Sequence, residues 1–171
     1  MSIKNTIWLN IACCIYSRYA GNFIVESCII RYKGLCMSHI TRVETKIKDL
    51  RFLQKALDTL GMSYRIAENG DKLNVQGYTK DEVIASCDME IKTGCKYGIG
   101  IKKAGELFEV SADWWAIETF TGIKQDELLN KIMRQYAYET VMDKVHKMGY
   151  TVVQETADTK NAVRITVRRW T

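Results

Sequence analysis

The sequence has no proline, only two histidines and no pair of cysteines in CxxC spacing. Its six cysteines are too sparse among 171 residues to resemble a small disulfide scaffold. A zinc site needs several ligands at workable spacing, and only His39 and His146 could supplement the thiols. The sequence therefore predicts free, reduced cysteines, with no metal site and no cofactor.

Long apolar runs are also missing. About 20 consecutive apolar residues are needed for a helix to cross a bilayer. The candidate stretch, residues 6–16, is interrupted by Asn10 and followed by Arg18. No membrane-spanning helix is therefore predicted.

The net charge of +5 is unevenly distributed. Residues 1–36 carry four basic side chains and one acidic one, whereas residues 37–171 carry 21 basic and 19 acidic ones. A nearly neutral body argues against nucleic acid as a partner, since such interfaces usually show clustered Lys and Arg. Because a clear domain pattern begins at Met37, we predict an extension over 1–36 and one domain over 37–171. The extension is either disordered or a mis-assigned start, or it docks on the domain as a strand or helix.

Hydrophobic periodicity predicts two main helices. Asp49 suits the N-cap of a helix over residues 50–60, whose leucines recur at helical spacing until Gly61 ends it. The second helix is predicted over residues 126–148, with a broad apolar face and Gly149 at its end. These two helices separate groups of short strands.

The strands are recognised by alternating polar and apolar residues between glycine-containing turns. They are predicted over 38–47, 64–67, 73–78, 83–91, 97–102, 107–111, 150–155 and 163–169. A hairpin turn is predicted at residues 69–71, where Asn and Gly accept positive φ. The order predicts an α+β fold, with an antiparallel sheet and both helices packed on one face in a ferredoxin-like arrangement.

Five short stretches of the sequence together resemble one protein family. They are Met37-Ser38-His39-Ile40, Thr45-Lys46-Ile47-Lys48-Asp49-Leu50, Ala112-Asp113-Trp114-Trp115, Gln135-Tyr136-Ala137-Tyr138 and Val167-Arg168-Arg169-Trp170. In order and spacing they are similar to the family called hypothetical chloroplast reading frame thirty-five, over nearly all of residues 37–171. The resemblance implies a plastid stroma or cyanobacterial cytoplasm and brings no activity with it. It also implies histidine where this chain has Glu139, so no catalytic role is assigned there.

Asp113, Trp114 and Trp115 follow a predicted strand. Neighbouring residues of a strand point to opposite sides, so both tryptophans cannot face the same core. An exposed Trp suits contact with a partner, because Trp and Arg are frequent at binding hot spots. The alternative is one Trp in the core and the other at the sheet edge.

Two further groups complete the candidate binding residues. Tyr138 lies about 200° around the helix from Tyr136, so we expect Tyr136 in the core and Tyr138 partly exposed. Arg168, Arg169 and Trp170 end the last strand, where they could contact a partner or protect an edge strand by their charge. The candidate binding residues are Asp113, Trp114, Trp115, Tyr138, Arg168, Arg169 and Trp170.

No catalytic residues are assigned, because no tyrosine or histidine has a recognisable base or ligand partner in the sequence. The sequence favours a non-enzymatic accessory or adaptor protein that binds another protein inside a plastid or cyanobacterium. Its oligomeric state is left open. The alternatives are a small-molecule or RNA-binding regulatory domain that uses the sheet face, and an enzyme whose site the sequence does not reveal.

Overall fold

The computed structural model describes residues 4–9, 31–33, 40–68, 70–78, 83–157 and 163–169. The strands are β1 (Lys4–Leu9), β2 (Arg31–Lys33), β3 (Ile40–Glu44), β4 (Tyr64–Ile66), β5 (Leu73–Gln76), β6 (Val83–Cys87), β7 (Met89–Ile91), β8 (Ile99–Ala104), β9 (Leu107–Asp113), β10 (Tyr150–Ala157) and β11 (Val163–Arg169). The helices are α1 (Leu50–Thr59), α2 (Trp114–Thr121) and α3 (Gln125–Lys147). The predicted α+β class is confirmed.

The chain divides into two compact units. One combines Met1–Ile29 with Ala137–Thr171 and is called the terminal unit, and the other, Ile30–Tyr136, is called the central unit. The predicted boundary between residues 36 and 37 stays a prediction. Two strands lie inside the predicted extension: β1 pairs with β11, and β2 pairs with β3.

The central unit contains a six-stranded antiparallel sheet with the order β2-β3-β9-β8-β7-β4. Because each neighbouring pair is antiparallel, β3 and β4 run parallel, and α1 connects them across the three strands between them. The strands that follow α3 belong to a separate sheet, with the order β1-β11-β10. The ferredoxin-like arrangement is therefore wrong, because in it the second helix leads back into the same sheet.

One face of the six-stranded sheet carries the core of the central unit. Side chains from β3, β7, β8 and β9 pack there against apolar residues of all three helices. The buried members are Val43, Ile47, Leu53, Ala56, Leu57, Met89, Ile91, Tyr97, Ile99, Ile101, Phe108, Val110, Ala112, Trp114, Ala116, Ile117, Leu128, Leu129, Ile132, Met133 and Tyr136. The predicted apolar face of α1 and the first half of that of α3, up to Tyr136, are thus directed to this core. Met148, predicted on the same face of the second helix, is instead 46% exposed.

The two predicted helices begin and end close to the expected residues. Asp49 is the N-cap of α1, where its Oδ1 accepts a hydrogen bond from the Arg51 backbone N–H at 2.9 Å. Gly61 follows with a φ of 67°, a conformation that glycine adopts without steric cost. The short helix α2 was not predicted. It begins after the buried Asp113 and ends at Gly122, which also has a positive φ.

The strand predicted over residues 83–91 is two strands in different sheets. β6 pairs with β5 in a two-stranded sheet, whereas β7 lies in the six-stranded sheet. Asp88 separates them: its N–H donates to the Ile101 carbonyl at 2.8 Å, and its Oδ2 accepts from the Lys103 N–H at 2.7 Å. Burial acts to raise the pKa of Asp88, but hydrogen bonds from Lys72 and Lys103 and the nearby lysine charges lower it overall. The charged Asp88 carboxylate therefore stabilises the point at which the chain passes from the two-stranded sheet to the six-stranded sheet.

The hairpin prediction around residues 69–71 is wrong, because the strands before and after this turn do not pair with each other. β4 pairs with β7, and β5 pairs with β6, although Gly70 turns the chain with a φ of 85°. The β5–β6 hairpin instead covers the sheet face opposite the core, at Gly100. A Cβ atom at Gly100 would lie 3.3 Å from both Cys87 Cβ and Val75 Cγ2. The absence of a side chain at Gly100 therefore permits this close packing.

In the terminal unit, β11 lies between β1 and β10. Ile165 and Val167 of β11 are buried against Val141 and Val145 of α3, which confirms the predicted inward face of this strand. The pairing of β10 with β11 confirms the closing hairpin, and its register shifts between Val152 and Gln154. The expectation that β11 is an edge strand is wrong, because β1 pairs along its other side. Within the described ranges, no helix combines the length and apolarity needed to cross a membrane.

Candidate partner-binding surface

Trp114 and Trp115 are the first two residues of α2, not residues of a strand. Successive helical residues project about 100° apart, so the two rings still point in different directions. Trp114 is 4% exposed and belongs to the core, whereas Trp115 is 45% exposed. The sequence thus predicted one inward and one outward tryptophan correctly, but for the wrong structural reason.

Asp113 is 2% exposed, and its carboxylate holds two parts of the chain together. Its Oδ1 accepts from the Ala116 N–H at 3.0 Å and caps α2. Its Oδ2 accepts from the Tyr78 N–H at 2.9 Å, 35 positions earlier in the chain. Because both oxygens bind backbone groups inside the protein, Asp113 positions the surface beside it instead of contacting a partner directly.

Four aromatic rings meet at this place: Tyr78, Tyr97, Trp115 and Phe120, which we call the aromatic cluster. The centroids of Tyr78 and Trp115 are 4.9 Å apart, with the rings nearly perpendicular. Tyr78 and Phe120 stack at 6.2 Å, and Phe120 lies 5.5 Å from Tyr97. These separations fall in the range of favourable aromatic pairs. The rings therefore support one another as one surface.

Three rings of the aromatic cluster are accessible to solvent. Tyr78 is 47% exposed, Trp115 45% and Phe120 56%, whereas Tyr97 is buried beneath them. Single exposed apolar residues are ordinary on protein surfaces, but contiguous apolar patches often mark interaction sites. The three rings therefore form a contiguous exposed apolar surface above the buried Tyr97 ring.

Sequence reasoning found only Trp115 among the members of the aromatic cluster. Tyr78 follows β5, Tyr97 precedes β8, and Phe120 lies near the end of α2. No spacing connects these positions, because the sheet and the Asp113 carboxylate bring them together. Phe120 could have been found if α2 had been predicted from a capping Asp and the later Gly122.

The structural role of the Asp113 carboxylate can be tested by removing it. Asp113→Ala is expected to lower the free energy of unfolding by about 1–3 kcal/mol, because a helix cap is lost and the Tyr78 N–H loses its acceptor. Urea unfolding measures this loss. The near-ultraviolet circular dichroism of the aromatic cluster should also decrease, because Tyr78 is no longer held against Trp115.

Asp49→Ala is the matched control, because it removes the N-cap of α1 without touching the aromatic cluster. It should reduce stability and leave the aromatic signal intact. An unchanged aromatic signal in folded Asp113→Ala would mean that Asp113 does not position Tyr78.

Tyr138 lies in the terminal unit, on α3, and is half-buried. Its hydroxyl donates a hydrogen bond to Glu155 Oε1 at 2.8 Å. Burial, this hydrogen bond and the charges of Glu155 and Glu139 together raise the pKa of Tyr138 to about 12. The phenol stays protonated near neutral pH and connects α3 to β10, which favours a structural role for this tyrosine.

The basic end of β11 also belongs to the terminal unit. Arg168 is half-buried and lies in register with Lys4 of β1 and Thr151 of β10. Arg169 pairs with Tyr150, and Trp170 lies outside the described residues. Partner binding by these residues stays a prediction, and they belong to a different unit from Asp113, Trp114 and Trp115.

The described part of the chain contains two free thiols. Cys87 and Cys95 are free, and burial is the main cause that raises the pKa of the Cys87 thiol. A protonated, buried thiol is a poor nucleophile. Within the described ranges, no group of three His, Cys, Asp or Glu residues is placed to hold a metal ion. The other four cysteines lie outside these ranges.

Comparison with known proteins identifies relatives of this chain. Residues 56–166 match the family described as Protein of unknown function (DUF1257). Proteins named uncharacterized protein ycf35 match over 140 residues, with 29% identity in Guillardia theta, 26% in Pyropia yezoensis and 28% in Cyanophora paradoxa. Each comparison covers 78% of this chain and 98% of the relative. No solved structure matches significantly.

These relatives confirm the resemblance to the chloroplast reading frame thirty-five family that the five short stretches indicated. The relatives are plastid reading frames of algae. The family match covers more than half of the 171 residues. The chain therefore belongs to the DUF1257 family.

Proposed function

We propose that this protein is a non-enzymatic accessory or adaptor protein that binds another protein through the aromatic cluster, inside a plastid or a cyanobacterial cell. One observation carries the proposal: Tyr78, Trp115 and Phe120 expose about half of their surfaces, and the Tyr78 ring contacts both of the others. The plastid origin of the algal relatives supports the location.

The energetics of binding favour such a surface. Burying Trp and Tyr side chains supplies much of the binding energy at protein interfaces. Rings that already contact one another lose little side-chain freedom when a partner binds. Asp113 and the buried Tyr97 support Tyr78, and Tyr97 also supports Phe120. The aromatic cluster is therefore organised for contact in the unbound protein.

The alternative of a regulatory site on the sheet face has less support. One face carries the core, and the β5–β6 hairpin packs against the other face at Gly100. A ligand at this position would have to displace Val75 and Cys87, which are fully buried. The exposed aromatic surface requires no such rearrangement.

The proposal predicts that Trp115→Ala and Phe120→Ala lose the same bound protein. The folded chain is immobilised and exposed to plastid or cyanobacterial extract, and bound proteins are quantified by mass spectrometry. Each variant should bind at least about tenfold less of one protein than the unmodified chain does, as expected for a hot-spot residue. The protein that is lost should be the same for both variants. Thermal unfolding of each variant shows whether the fold is kept.

Met148→Ala is the matched control, because Met148 is 46% exposed and lies outside the aromatic cluster. It should retain the bound protein at the level of the unmodified chain. If both aromatic variants fold and bind the same proteins as the control, the aromatic cluster is not the binding surface.

A further inference from the structure

A positive charge lies at the border of the aromatic cluster. The exposed Lys96 places its Nζ atom 5.0 Å from the centroid of the Tyr97 ring. Tyr97 in turn contacts both Tyr78 and Phe120. The face of an aromatic ring attracts a cation, so this contact favours an ammonium position beside the exposed rings. Lys96 can still bind an anion there, because one ammonium group has three donors.

The acidic residues next to Trp115 in the sequence have internal partners. Asp113 uses both carboxylate oxygens to accept backbone hydrogen bonds. Glu118 lies about 60° around α2 from Trp115, on the side away from Phe120. Its Oε1 accepts from the Gln125 N–H at 3.0 Å. Among the described residues, Lys96 is a charged side chain in direct contact with a ring of the aromatic cluster.

We infer that the aromatic cluster binds an acidic peptide segment of another protein, an inference that rests on the proposed function. Such a segment places an apolar or aromatic side chain on Tyr78, Trp115 and Phe120. An Asp or Glu near that side chain pairs with Lys96. Opposite charges across an interface select partners and accelerate association, whereas a basic segment would meet a like charge.

A peptide fits the surrounding charge better than single-stranded RNA does. RNA also offers rings for stacking and negative charge, but its binding sites usually form a basic groove that follows the phosphate backbone. Residues 37–171 carry 21 basic and 19 acidic side chains, a nearly neutral balance. One lysine beside an aromatic surface matches one or two carboxylates of a peptide.

The test selects random linear peptides from a display library on the full folded chain. Selected peptides should be enriched in Asp and Glu next to an apolar residue. Their affinity should fall at least about tenfold for Trp115→Ala and about three- to tenfold for Lys96→Glu, with a weaker dependence on salt in the second variant. A selection on the Lys96→Glu chain should enrich Lys and Arg instead.

Lys131→Glu is the matched charge control, because Lys131 is an exposed lysine of α3. It should leave peptide affinity and composition unchanged. Peptides that depend on Trp115 but show no acidic preference, or that bind Lys96→Glu as tightly, would overturn the charge inference and leave the proposed function standing. Peptides that bind Trp115→Ala unchanged would overturn the proposed function as well. An empty selection, or Trp115-dependent binding of oligouridine RNA without peptide enrichment, would also overturn the peptide inference.

Discussion

Trp114→Ala is expected to lower the free energy of unfolding by about 3–5 kcal/mol. Trp114 is only 4% exposed and packs in the core of the central unit. Removing the ring loses its burial and leaves a cavity that the surrounding sheet and helices can fill only partly. Urea unfolding, followed by far-ultraviolet circular dichroism, measures the change directly.

Trp115→Ala is the matched control because it removes the same side chain from the adjacent residue. Trp115 is 45% exposed and contacts Tyr78 edge to face, so a loss of about 1–1.5 kcal/mol is expected. Trp114→Phe should retain most of the packing, and its loss should lie between the two alanine variants. Equal losses for both alanine variants would contradict the assignment of one core and one surface tryptophan.

Leu53→Ala and Ile132→Ala are each expected to destabilise the protein by about 2–5 kcal/mol. Leu53 of α1 is fully buried, and Ile132 of α3 is 2% exposed in the same cluster. Both side chains lie between their helices and the sheet, where a truncated side chain leaves an unfilled volume. The change in the urea midpoint at constant m-value gives the loss of stability.

Lys55→Ala and Lys131→Ala are the controls for these changes, since each is an exposed residue of the same helix. Alanine is a good helix former, so we expect changes within about 0.5 kcal/mol. A loss below about 1 kcal/mol for Leu53→Ala or Ile132→Ala would mean that the predicted helical face does not form the core.

The candidate site was only partly accessible to sequence reasoning. Trp115 was identified because two adjacent tryptophans project in different directions from either a strand or a helix. Asp113 was identified as a partner contact, yet it is a buried cap whose carboxylate holds Tyr78. The sequence indicated that Asp113 has a role. Only the surrounding backbone N–H groups show that its carboxylate caps α2 and holds Tyr78.

Local order is what the sequence by itself determined. The N-cap of α1, the extents of α1 and α3, the closing β10–β11 hairpin and the inward face of β11 all depend on residues a few positions apart. The spacing of residues over a few positions predicts these features, because helical turns and strand alternation repeat over a few residues.

Only the tertiary structure decided which strands pair and which aromatic rings meet. The change of sheet at Asp88, the pairing of β4 with β7 and the approach of β5–β6 to Gly100 are contacts between distant segments. The aromatic cluster likewise joins Tyr78 and Tyr97 to α2. A residue's own neighbours carry little information about such contacts, because the packing of the whole sheet selects one strand order among many with similar local patterns.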